Sequence, residues 1–294
     1  MAITSLREAE QTIRQRERRG IFALLGPAMV YLLLFFALPL VVIVLYSFLR
    51  PGQVGGVEWS FTLDNYVTLF TKDLYVDAYV RSLAIGGATT VLCLLLGYPM
   101  ALAIVMADAR WRGVLLFLIL IPFWTNFLVR TYAWMLILSN NGVINSLAQS
   151  LGFERMTLLN TTGAVLLGLV YGQIPFMVLP IYASLERFDF TLMDASADLG
   201  ANRRKSFFEV MLPLTMPGVA AGSVLVFIPT VGQFVVSDLL GGAKVDLLGN
   251  LLQRLFTRSN PPNLPLGSAM ALVFMAVLTI GVIVYFRTTT EEDR

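Results

Sequence analysis

The chain has no histidine, one cysteine and few charges. Without histidine, the imidazole-ligated metal sites and histidine-based catalytic triads are unavailable. A single cysteine, Cys93, cannot form an internal disulfide. Charged residues make up 14% of the chain, against about 25% in a soluble domain. Hydrophobic residues make up 57%, collected into long uncharged runs. That pattern excludes a soluble globular enzyme, a disordered chain and a secreted disulfide scaffold. The net charge of +2 is too small to argue for nucleic acid. What remains is an all-α polytopic membrane protein, because the runs are continuous and lack the alternation of barrel strands.

A membrane-crossing helix needs about 20 apolar residues. Six segments qualify: Ile21–Phe48, Ser82–Ala107, Gly113–Leu138, Thr161–Leu185, Leu214–Ser237 and Leu266–Phe286. Only the third contains a charge, Arg130. The first is too long for the h-region of a signal peptide and reads as a retained anchor. Placing the N-terminus inside puts 13 Lys and Arg on the inner segments and six on the outer ones, so both termini are expected in the cytoplasm. The chain divides into a charged arm at 1–20, a six-helix domain at 21–287 and a tail at 288–294. Residues 1–20 are either a helix on anionic lipid or a solvated tail.

The inner loop 186–213 has legible local physics. Thr191 with Asp194 resembles a capping box at a helix start. Gly200 suits a left-handed helix stop, and Asn202 can cap a second short helix. Pro213 is expected to end that helix, so that the fifth span begins at a new angle. Two short helices joined by a glycine elbow make a protrusion that a partner can grip. Phe207, Phe208, Val210, Met211 and Leu212 supply an apolar face; Arg203, Arg204 and Lys205 supply a basic one.

Asp194-Ala195-Ser196, three residues, Gly200, nine residues, then Val210-Met211-Leu212-Pro213 resembles the "EAA" loop of ABC importer permeases, with Asp for Glu, Ser for the second Ala and Val for Ile. The resemblance implies the type I importer permease fold, with six transmembrane helices and cytoplasmic coupling helices that dock on a separate ATPase. Asp194, Ala195, Ser196, Gly200, Phe207, Phe208, Val210, Leu212 and Pro213 would form the docking element. The chain holds no Walker A of its own: Gly200 to Ser206 lacks the second glycine and follows a helix. It therefore needs no catalytic residue, metal or cofactor; ATP and Mg would reside on the partner. Ile121–Trp134, Pro213–Gly218, Ser237–Lys244, Gly249-Asn250 and Pro265–Gly267 resemble permeases of the spermidine/putrescine branch. Permeases for thiamine, ferric iron, phosphonates or opines share parts of these patterns. The implied partners are a second permease subunit, two ATP-binding subunits, an external substrate-binding protein and membrane lipid, in a bacterial inner membrane. A self-contained secondary transporter would need a coupling charge deep in a span, and only Arg130 is available.

Arg130 is expected either to snorkel to the headgroups or to pair with Asp238. Ammonium groups favour carboxylates and aromatic faces. Asp238, Trp124, Tyr132, Trp134, Tyr171 and Phe176 are the candidates, with Asn126, Gln173 and Gln233 as uncharged hydrogen-bonding groups. Each aromatic can equally face lipid. Gly168-x-x-x-Gly172 and Gly218-x-x-x-Gly222 suggest that spans four and five pack inside the protein. The outer segments 49–80 and 239–265 are candidates to receive a binding protein, and Leu247–Leu255 is expected to form a short helix.

Overall fold

The computed structural model describes residues 25–52 and 56–291. The arm at 1–20 and residues 292–294 lie outside that range. Helices dominate because a backbone in lipid must satisfy its own hydrogen bonds. The chain runs through α1 (Leu25–Ser47), a short antiparallel hairpin of β1 (Leu49–Pro51) and β2 (Val57–Phe61), and α2 (Asp64–Thr71). It continues through α3 (Asp73–Met106), α4 (Ala109–Trp124), α5 (Phe127–Leu138), α6 (Val143–Ser150) and α7 (Thr162–Glu186). The last part comprises α8 (Thr191–Asp198), α9 (Arg203–Val231), α10 (Leu248–Gln253) and α11 (Leu264–Glu291). Five of these helices (α1, α3, α7, α9 and α11) are long and apolar enough to cross a membrane, and the bent α4–α6 segment makes a sixth if counted as one span.

The expected third span, Gly113–Leu138, is not one helix. It breaks at Thr125-Asn126, and the two halves bend by 88°. Pro122 removes a backbone donor just before the break. Asn126 then starts α5, its side chain accepting from Leu128 N at 2.9 Å and Val129 N at 3.3 Å.

Pro213 does not end a helix either. α9 runs unbroken for 29 residues from Arg203, through the proline, to Val231. The accommodation is a π-turn at Phe207–Met211, where Leu212 N bonds back five residues to Phe207 O. The same device precedes Pro39 in α1: a π-turn at Leu33–Ala37, closed by Leu38 N to Leu33 O. A wider turn moves carbonyls away from the ring that would otherwise strike them. The fifth span accordingly ends at Val231, short of the expected Ser237. The second span begins at Asp73 rather than Ser82, and the fourth matches closely.

The core is the trio α3, α7 and α9. Cys93, Tyr98 and Ala101 of α3 meet Met177, Val178, Ile181 and Leu185 of α7, and Val219 and Val226 of α9. Glycine permits the approach of α9: a Cβ on Gly218 would lie 2.6 Å from Pro180 O and Ser184 Oγ, and one on Gly222 would lie 2.9 Å from Met177 Sδ. The expected packing of these two spans is thus observed at Gly218 and Gly222, whereas Gly168 faces Val236 and Leu240 and Gly172 faces Arg130. α1 packs along α11, and the residues of its apolar stretch are not buried. Asn65 of α2 ties the hairpin to the end of α1, donating to Ser47 O at 2.9 Å and Leu49 O at 2.8 Å. The expected short helix in the 239–265 segment is α10, which is buried against α3; Leu248 N donates to Ser82 Oγ at 2.7 Å.

Candidate functional site

Two places carry the side chains singled out by the sequence. The first is the elbow formed by α8 and the start of α9. The start of α8 is held by Asp189, not by a capping box from Thr191. Asp189 Oδ1 accepts from Thr191 N at 2.9 Å and from Thr191 Oγ1 at 2.8 Å. The hydroxyl bond first, then the backbone bond, holds this carboxyl below the usual carboxylate range. The other end closes as expected on Gly200, whose φ is +87°. Gly200 N bonds to Ala197 O at 2.9 Å and Ala201 N to Ser196 O at 3.0 Å, the two bonds of a Schellman stop. Asn202 caps α9, accepting from Lys205 N at 2.9 Å. Across the elbow, the Ser196 and Ser206 hydroxyls sit 2.6 Å apart and staple the two helices.

The expected apolar face divides in two. Met211 is buried, and Phe207 packs edge-on against Tyr98 at 5.4 Å. These residues fasten the elbow to α3. Phe208 is 62% exposed and Leu199 90% exposed. Leu192 is exposed as well. The outward apolar surface is therefore Leu192, Leu199 and Phe208, and sequence reasoning missed the two leucines. Their only signal was position beside a charged helix and a glycine stop. Asp194 and Ala195 are exposed, Ser196, Val210 and Leu212 are half-buried, and Pro213 is exposed in the helix.

The second place is a cavity of about 290 Å³ between the α4–α5 break, α7 and the segment after α9. Four predicted residues line it together: Arg130, Gln173, Phe176 and Gln233. Phe123, Thr125 and Phe127 complete much of the wall. The helix break puts Arg130 there. Its Nη1 donates to Pro122 O at 2.7 Å, a carbonyl that the interrupted helix leaves free. Its guanidinium lies 5.7 Å from the Tyr171 ring centre and 5.8 Å from that of Phe127. Tyr171 in turn packs edge-on against Trp134 at 5.4 Å. Gln173 Oε1 is buried without a hydrogen-bond partner among the described residues. Gln233 turns its Oε1 to Phe234 N at 3.0 Å.

The expected pairing of Arg130 with Asp238 does not occur. Asp238 accepts from Asn250 Nδ2 at 2.5 Å and faces Arg258 at 3.7 Å. The α4–α5 bend swings Arg130 back toward its own break, and α10 supplies Asp238 with an amide instead. Trp124 is also outside the cavity, 77% exposed and edge-on to Phe117 at 5.8 Å. Tyr132 is about half exposed and does not line it. Asn126 contributes by capping the helix that carries Arg130.

Comparison with known proteins supplies the family. Residues 79–288 match the family described as binding-protein-dependent transport system inner membrane component. The chain is 40% identical over 266 residues to the spermidine/putrescine transport system permease protein PotB of Haemophilus influenzae, covering 90% of this chain and 92% of that protein. PotB of Escherichia coli K12 is 40% identical over 261 residues, covering 88% and 94%. The molybdenum transport permease ModB of Mycobacterium bovis is 28% identical over 260 residues, covering 86% and 92%. Among solved structures, a chain of a bacterial ABC transporter that imports alginate superposes with a TM-score of 0.75 at 18% identity, covering 94% of this chain and 96% of that one. With the family matched over most of its length and the importer permease fold reproduced, the chain belongs to the inner membrane components of binding-protein-dependent transport systems.

Proposed function

We propose that this chain is one non-catalytic permease half of an ATP-driven importer of polyamines of the spermidine/putrescine class. The observation that carries the substrate is the 40% identity to polyamine permeases over nearly the whole chain. In this reading both termini and the α8–α9 elbow face the cytoplasm. A second permease subunit completes the pathway, an external binding protein delivers the substrate, and two ATPase subunits hold ATP and Mg. The 21–287 segment is the membrane domain, flanked by the 1–20 arm and the 288–294 tail.

The elbow supplies the mechanical link. Leu192, Leu199 and Phe208 present apolar side chains outward, and Asp194, Ala195, Ser196, Gly200 and Val210 shape the block that an ATPase groove would receive. Burying three such side chains in a partner contributes several kcal/mol. Phe207, Leu212 and Pro213 pass that force into α9. Because α9 is continuous for 29 residues, it spans roughly 43 Å at 1.5 Å per residue. Its far end adjoins Gln233 at the Arg130 cavity. ATPase closure therefore acts on a rigid lever, and the difference in ATPase contact between two lever positions sets how far the pathway equilibrium shifts. Arg130, Gln173 and Gln233 are the pathway residues in this scheme, backed by Tyr171 and positioned by Asn126. Trp124, Tyr132 and Asp238 serve elsewhere, Asp238 in fastening α10.

One observation favours a second reading. Arg130 is the sole charge lining the cavity among the described residues, which suits an anion such as a phosphonate. Reconstituted uptake decides between them. The purified assembly should import labelled spermidine or putrescine only with ATP and the binding protein. Import of a phosphonate with no polyamine transport would overturn the substrate, and uptake without any ATPase would overturn the whole scheme.

A further inference from the structure

A polyamine importer works against a problem that the cavity chemistry exposes. The interior-negative membrane potential pulls every small cation inward. A pathway that admits a polycation must still resist protons and metal ions. Carboxylates would attract them. The cavity holds the opposite charge. Arg130 sits in its wall, fixed by Pro122 O at 2.7 Å and by the Tyr171 ring face. The N-terminus of α5 opens at the same place, since Thr125 and Phe127 both line the cavity. The C-terminal end of α4 meets the N-terminal end of α5 at this break, so the two helix dipoles largely offset and the guanidinium is the net charge there. No carboxylate lines the cavity among the described residues, and Asp238 is engaged by Asn250 and Arg258. Gln173 keeps its amide oxygen buried, without a hydrogen-bond partner among the described residues, so it gives a passing cation no ligand.

We infer that Arg130 forms an electropositive barrier that excludes small cations from the pathway at rest. An arginine performs this exclusion in other membrane pores. It follows that the carboxylates which bind the polyamine lie on other surfaces of the assembly, outside this cavity. Arg130 is thus a barrier residue of the resting state rather than a substrate ligand. The inference rests on the reading that the cavity lies on the transport pathway.

The test uses the complete importer in proteoliposomes, with Thr125→Cys or Gln173→Cys as reporters. Native Cys93 is fully buried and does not report. Thiol labelling is timed with an anionic sulfonatoethyl and a cationic trimethylammonioethyl methanethiosulfonate. The barrier predicts faster labelling by the anion. Two unit charges some 8 Å apart at an effective dielectric near 20 should bias the rate ratio on the order of tenfold after screening. Arg130→Met should abolish the bias and raise proton leak under an imposed potential, while Arg130→Lys should retain both the bias and the tight membrane. Co-purification with the partner subunits checks assembly of each variant. Equal rates for the two reagents with Arg130 in place, or unchanged leak in Arg130→Met, overturn the barrier. Absence of labelling by either reagent at both positions, in a complex that transports, instead refutes the pathway assignment itself.

Discussion

Gly218→Ala is a sharp probe of the α7–α9 seam. The added Cβ would lie 2.6 Å from Pro180 O, a backbone atom that no rotamer change can move aside, and 2.6 Å from Ser184 Oγ. Relief requires α9 to back away along a face that also buries Val219 and Ala220. Overpacking of this kind costs about 1–3 kcal/mol, and a rigid backbone neighbour belongs at the upper end. Replacing glycine by alanine inside a helix returns up to about 1 kcal/mol of propensity. The net is a loss of about 1–2 kcal/mol. Gly222→Ala should cost less, because its nearest neighbour is the flexible Met177 Sδ at 2.9 Å. Gly87→Ala meets nothing within 4 Å and should be neutral or stabilising by up to about 1 kcal/mol. Thermal denaturation of the purified complex should rank midpoints Gly87→Ala, Gly222→Ala, Gly218→Ala from highest to lowest. If Gly218→Ala matches or exceeds Gly87→Ala, the close seam does not exist.

Other perturbations address the elbow and the cavity. Gly200→Val forces a β-branched residue to φ +87°, at a cost of about 1–2 kcal/mol or more, and should lower transport per ATP hydrolysed in reconstituted vesicles. Leu199→Glu and Phe208→Glu place charges on exposed positions, so the permease should fold at normal yield yet lose co-purifying ATPase. The Asp189 carboxyl sits below its unfolded value, so its stabilisation of α8 is full at neutral pH and disappears as the pH falls through that lowered range. Limited proteolysis of the 186–202 loop should therefore accelerate in acid for the native protein, and at all pH values for Asp189→Ala.

Local rules read the elbow well because its determinants are local. Gly200 and Asn202 act through backbone geometry within three residues of themselves, and both do what their positions predict. Thr191 misled because Asp189, two residues earlier, accepts from both its N–H and its hydroxyl, so that hydroxyl acts as a donor instead of capping the helix. Pro213 misled for a different reason. A proline normally stops a helix, but here an extra residue in the preceding turn absorbs it, and no composition pattern signals that extra residue. Arg130 stands out in the sequence as a candidate because it is isolated in an apolar run. Its partner was not legible, because the 88° bend depends on how α4 and α5 pack on α7 rather than on the hydropathy of the span. The exposed Leu199 likewise becomes visible only once the buried side of the elbow is known.

The π-turn at Phe207–Met211 is also a record of phase. Each residue of an α-helix advances the side chains by about 100°. A single extra residue in one turn therefore fixes the rotational setting between the elbow below and the whole face of α9 above, including Gly218 and Gly222. Deleting any one residue from 207–211 would leave composition and hydropathy almost unchanged while swinging one end about a quarter-turn against the other. Either the glycines would leave their seam or Leu199 and Phe208 would turn away from a docking partner. Spacing through this turn is thus a constraint as strict as residue identity, and it explains physically why an elbow and a helix seam in separate parts of the chain must keep a constant distance in sequence.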